Sequence, residues 1–182
     1  MDEIRNVTWG LWGEELKEWQ AIQRLYLAGF RDVQLLARMF AIIEGESGSY
    51  LKAWHANVKR DSTTKNIIYS AKGEMEIKSI DLGFIQKNVV LPAPVSVLPL
   101  PEVMKPIVDE LFERFPKLAR ADTAAEIAWE MFQDRGFSPW YAYKPGTPEF
   151  KGKVKRGCQA VGNYLGRVLI DDGDKLIWKS SI

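Results

Sequence analysis

The chain has 182 residues, 46% of them hydrophobic and 12% aromatic, and its 25 basic and 24 acidic side chains leave a formal charge of +1. That size and composition build one sizeable core and exclude global disorder, while the near-neutral balance gives no electrostatic argument for nucleic acid or an anionic membrane. The single cysteine, Cys158, excludes an intrachain disulfide framework, and no run approaches the ~18 apolar residues of a membrane span.

The first residues, Met1-Asp2-Glu3-Ile4-Arg5, lack the basic and apolar regions of a signal peptide, so none is expected. Residues 14–28 read as a helix, with Leu16, Trp19, Ile22, Gln23 and Tyr26 at helical spacing and Gly29 as its stop. Asp32 caps a second helix through Leu35, Leu36, Met39, Phe40 and Ile43. That helix is apolar almost all round, which predicts a central, buried position ending near Glu44-Gly45-Glu46-Ser47-Gly48. Between residues 66 and 79 the pattern changes to two short strands, 66–70 and 74–78, turning at Ala71-Lys72-Gly73. A Pro-rich stretch from Leu91 to Pro101 is extended or looped, and Pro101 opens a helix carrying Val103, Met104, Ile107, Val108, Leu111 and Phe112. Thr123 with Glu126 fits a capping box for a helix that stops at Gly136. A last helix puts Val154, Cys158, Val161, Leu165 and Val168 on one stripe, and the tail forms a short strand pair turning at Asp171-Asp172-Gly173-Asp174. There is no internal repeat.

Cleaving a glycosidic bond needs two carboxyl groups in different environments, one protonated to donate to the leaving oxygen and one ionised to attack or stabilise the anomeric carbon. Glu46 suits the first role, because a helix C-terminus and burial both disfavour its charge. Asp81, beside Ser79 in a polar hairpin, suits the second. Composition alone would not single out this pair among 24 acidic residues.

Three segments do so. Glu46-Ser47-Gly48, followed by Ala53 and Asn57, resembles the Glu-Ser-x segment that ends the catalytic helix of animal lysozymes and lytic transglycosylases. Ser79-Ile80-Asp81-Leu82-Gly83-Phe84-Ile85-Gln86-Lys87-Asn88 resembles the Ser-x-Asp-x-Gly-x-x-Gln-x-Asn segment of animal lysozymes. Ala124-Ala125-Glu126-Ile127 through Gly136-Phe137-Ser138-Pro139-Trp140 looks like the helix-loop-Trp element of the same superfamily, in a wording similar to lysozyme-like domains of phages infecting actinobacteria. The segments occur in family order and span residues 35 to about 143.

The resemblance to the lysozyme superfamily implies an α+β fold, mainly helical, with a small β-hairpin lobe flanking a sugar cleft. It implies a catalytic domain over residues 1–167 and a tail over 168–182. Glu46 matches the general acid and Asp81 the second carboxylate. Ser79 belongs to the same segment, Gln86 and Asn88 match cleft residues that hold the Asp and the N-acetyl group, and Trp140 matches the Trp packed against the acid. Tyr141 and Tyr143 either stack on sugar or fill the core, and sugar is the expectation. The implied activity is cleavage of the β-1,4 bond between N-acetylmuramic acid and N-acetylglucosamine in peptidoglycan glycan strands, without metal or organic cofactor. Without a signal peptide, the expected setting is a phage endolysin released by a holin, or a lysin carried in the virion with other virion proteins. The chain departs from the family in a longer segment between Glu46 and Asp81, in Lys87 where an apolar residue is usual, and in its tail. Lytic transglycosylases, which lack the second carboxylate and close a 1,6-anhydro ring, are the nearest alternative.

A non-enzymatic wall-binding or virion protein with the same fold is a further rival, and a Cys/His amidase using Cys158 and His55 is another. A lone His is usually structural, and Cys158 on an apolar stripe reads as a buried thiol. One His and one Cys do not make a typical zinc site, and neither a Gly-x-Ser-x-Gly elbow nor a phosphate-binding Gly loop is present.

Overall fold

A computed structural model describes residues 8–172 and 175–180, with side chains described for 8–166. The architecture is α+β. Strands β1 (Trp9–Glu15), β2 (Tyr50–Val58), β3 (Met75–Leu82) and β4 (Lys87–Val97) form one antiparallel sheet in that order. Helices α1 (Glu18–Ala28), α2 (Val33–Ser47), α3 (Pro101–Arg114), α4 (Ala121–Arg135) and α5 (Pro148–Leu165) make up the helical part. Strands β5 (Arg167–Asp172) and β6 (Lys175–Ser180) form a separate two-stranded antiparallel sheet, the strand pair expected for the tail, with Asp171 and Asp172 paired in β5 and Gly173-Asp174 of the expected turn outside the described residues.

Helix α2 is the axis of the core. Leu36, Ala37, Met39, Phe40, Ala41, Ile42 and Ile43 are all buried, so most of its apolar surface is covered, with Arg38, Glu44 and Gly45 left exposed. Asp32 caps it through an Oδ1 that accepts the Leu35 N–H at 2.9 Å. At the other end Gly48, at φ 57°, closes the helix and donates its N–H to the Glu44 carbonyl. Ser47 Oγ then donates to the Phe84 carbonyl at 2.6 Å, fastening the helix end to the turn after β3.

Helix α5 lies against α2 at Gly157, where an added Cβ would stand 2.6 Å from the Ala37 carbonyl oxygen. Alanine would gain ~1 kcal/mol of helix propensity. A backbone carbonyl cannot swing aside as a side chain can, so the helices would have to part. Gly157→Ala should therefore lose a net ~1–2 kcal/mol, read as a lower urea midpoint with an unchanged slope.

The β part is larger than the expected hairpin. Residues 14 and 15 belong to β1, and α1 begins only at Glu18, because Trp9–Glu15 pairs with β2. Residues 66–70 are not a sheet strand. Their β pairing is limited to the isolated bridges Arg60↔Ile67 and Tyr69↔Met75. Asp61 Oδ1 accepts the N–H groups of Thr63 and Thr64, and Lys65 takes φ 61°, so the chain turns immediately before the expected strand. The turn at Gly73 is present, with φ 76° and its N–H donated to Ser70. Pro92 and Pro94 lie within β4, tolerated because that strand is at the sheet edge.

The expected capping box is not formed. Helix α4 starts at Ala121, so Thr123 lies inside it, and its hydroxyl donates to the Lys117 carbonyl. Helix α5 ends at Leu165 on a left-handed Gly166, which leaves Val168 in β5 rather than on the helical stripe.

Candidate active site

Glu46 lies in the last turn of α2, partly buried, where the helix meets the sheet and the loop after α4. Its Oε1 accepts the Ala142 backbone N–H at 2.5 Å. Burial pushes its carboxyl above the usual range, and the nearby charge of Asp81 adds to this. The backbone N–H groups of Ala142 and Tyr141 and the His55 imidazole oppose the rise without cancelling it.

Asp81 faces the same cleft from β3. Strand alternation puts Ile80 and Leu82 into the core and Ser79 and Asp81 on the other face. The register sets Asp81 between His55 of β2 and Asn88 of β4. Its Oδ1 accepts from Asn88 Nδ2 at 2.7 Å, its Oδ2 accepts from Asn57 Nδ2 at 3.0 Å, and His55 Nδ1 stands 3.7 Å from Oδ2. Burial alone would raise this carboxyl, but His55, Asn88 and Asn57 together hold it below its ordinary value. The two acids are thus driven in opposite directions by their surroundings.

A cleft of about 790 Å³ contains both carboxylates and extends past Trp9, Leu11 and Tyr141 to Arg60 and Lys65. A smaller depression of about 140 Å³ shares Glu46, Asp81 and Gln86 and is walled by Asn88, Trp140 and Arg135. Glu46 and Asp81 therefore line both of two adjoining depressions, which also share Gln86 and Tyr141.

The other expected site residues are placed unevenly. Ser79 Oγ accepts from Asn88 Nδ2 at 3.0 Å, which fixes the amide that holds Asp81. Gln86 is buried at φ 52°, donates to the Gly83 carbonyl at 2.8 Å and lines both depressions. Trp140 is buried and donates its indole N–H to the Ile85 carbonyl at 2.7 Å, pinning the loop after α4 against the turn between β3 and β4. From that loop the backbone N–H groups of Tyr141 and Ala142, one and two residues beyond Trp140, face the Glu46 carboxylate, and Ala142 donates to its Oε1. Tyr141 is 81% exposed at the cleft, with the Lys144 ammonium 4.1 Å from its ring centroid.

Tyr143 is not brought to the cleft. The turn closed by its N–H on the Trp140 carbonyl directs it away from Tyr141, and its ring packs against Phe137 and Phe150 at 5.0 and 5.4 Å.

Sequence reasoning missed His55, Trp9, Leu11 and the Ala142 amide. His55 and Asn57 are two residues apart on one strand, so recognising β2 would have put both on the cleft face. Cys158 is fully buried in α5, and burial raises its thiol, so it forms no dyad with His55 of the cleft. Glu44, two residues before Glu46, is exposed at the rim. Among the described residues no cluster of three or more His, Cys, Asp or Glu could hold a metal ion, and no helix is long and apolar enough to cross a membrane.

No family model, no curated protein and no solved structure matches this chain.

Proposed function

We propose that the chain is a muramidase of the lysozyme superfamily, cleaving the β-1,4 bond between N-acetylmuramic acid and N-acetylglucosamine in peptidoglycan. The observation that carries this reading is the pair of carboxyl groups in one groove, with Glu46 pushed up and Asp81 held down. Two titratable groups with opposed environments supply the acid and the anion that glycoside cleavage requires. Glu46 protonates the leaving oxygen. Asp81 attacks or stabilises the oxocarbenium-like carbon, and water activated by the deprotonated Glu46 completes the reaction. A phage endolysin or virion-associated lysin is the setting that goes with this activity.

The reading fixes the pH profile of kcat/KM on purified cell walls. Glu46 must be protonated, so activity falls as pH rises through its raised pKa. Asp81 must be ionised, so activity falls as pH drops through its lowered pKa. The plateau should therefore be shifted and widened relative to two ordinary carboxyls. A profile flat across the carboxyl range, or activity rising monotonically with pH, would contradict the pairing. Mass spectrometry of the digest decides the outcome at the bond: reducing ends mark a hydrolase, and 1,6-anhydro ends mark a lytic transglycosylase.

A further inference from the structure

His55 is the imidazole of the cleft, and neither the acid nor the anion role uses it. It sits on β2 directly across from Asp81 in the antiparallel register, with Asn88 continuing the row on β4. The Asn57 and Asn88 amides fix the plane of the Asp81 carboxylate by donating to different oxygens from the strands on either side. Both donors are neutral. Among the described residues the ion pair of Asp81 is with His55, whose Nδ1 is 3.7 Å from Oδ2. The other charged groups of the two depressions are Glu46 and Glu44 from α2, Arg60 and Lys65 from the segment after β2, Lys87 from β4 and Arg135 from α4. None of those four cations forms an ion pair with Asp81. The His55 side chain is 44% exposed, so it fills no hole in the core, and it pairs with the carboxylate it faces.

We propose that His55 is a positioning residue for Asp81, fixing the charge and orientation of that carboxylate in the groove rather than touching the sugar itself. The consequence for activity rests on the muramidase reading, but the coupling between the two side chains does not. An opposite charge within ~4–6 Å favours an ionised carboxylate, and here it acts against a burial that favours the neutral form. Removing the imidazole leaves that burial opposed only by two amides, so Asp81 takes up its proton at higher pH. The carboxylate also loses one of its two neighbours at Oδ2, leaving Asn57 alone there, and small misplacements of a reacting group are costly in rate.

The test uses the full chain with carboxyl-labelled aspartate, in wild type and His55→Ala, with Asp81→Asn to assign the resonance. The NMR titration midpoint of Asp81 should move to higher pH in His55→Ala. A midpoint that coincides with wild type, in a variant with an unchanged thermal midpoint, would overturn the proposal. In the activity arm, His55→Ala should lower kcat at least ~10-fold with KM little changed, and its acid limb should move to higher pH. In the Asp81→Asn background the same change should cost nothing more. An undiminished loss there would mean that His55 acts on substrate directly, which also overturns the proposal. If wild type cleaves no peptidoglycan, the muramidase reading fails and the NMR titration still decides the coupling.

Discussion

Glu46→Gln is expected to lower turnover on peptidoglycan by ~100-fold or more, the scale of losing general acid catalysis. Gln keeps the volume and the carbonyl oxygen that accepts the Ala142 N–H at 2.5 Å, so the end of α2 and the loop after α4 stay joined. It cannot donate a proton to a leaving oxygen. The same substitution should raise stability at neutral pH. The folded-state pKa of Glu46 is above its unfolded value, so the stability linked to this group is complete below the ordinary carboxyl range and is lost as pH rises through the raised value. An amide carries no such loss. Thermal melts of wild type and Glu46→Gln should therefore diverge on going from acid to neutral pH, with the variant melting higher. A folded Glu46→Gln protein that releases muropeptides at the wild-type rate would remove Glu46 from the reaction.

How far the sequence was legible follows from which residues answer to one constraint and which to two. Helix α2 was readable because its apolar positions, Asp32 cap and Gly48 stop all serve one element. The segment from Ser79 to Asn88 was readable because its polar positions alternate on one face of a strand and resume after a tight turn. Strand β1 was not, since Gly10 and Gly13 interrupt any alternation. Gly10 is there for tertiary reasons: a Cβ would come within 2.4 Å of the buried Trp54 indole nitrogen. Strand β2 was hidden because two of its buried positions are Ala53 and Ala56, residues with weak strand preference, so no β-branched run marks it. Tyr141 and Tyr143 have equal claims on core and sugar in the sequence. Only the turn between them decides that one is exposed and the other packs on Phe137 and Phe150.

Asp81→Asn is expected to lower kcat by ~100- to 1,000-fold, the range found when a group aimed at developing charge is removed. The amide has the shape of the carboxylate but no charge to set against an oxocarbenium-like carbon. It also places an NH₂ group where Asn57 or Asn88 now donates, so one of those two amides must turn. A second readout isolates the electrostatic part. The Asp81 charge helps to raise Glu46, after the larger effect of burial, so its loss should let Glu46 ionise at lower pH. The alkaline limb of kcat/KM should then move to lower pH in Asp81→Asn, while the acid limb set by Asp81 disappears. A purely structural defect would lower the rate without moving the limb. If turnover falls less than ~10-fold and the products carry 1,6-anhydro ends, Asp81 is dispensable and Glu46 works alone as acid and then base. The chain is then a lytic transglycosylase, because ring closure by the substrate's own hydroxyl needs no second carboxylate at the anomeric carbon.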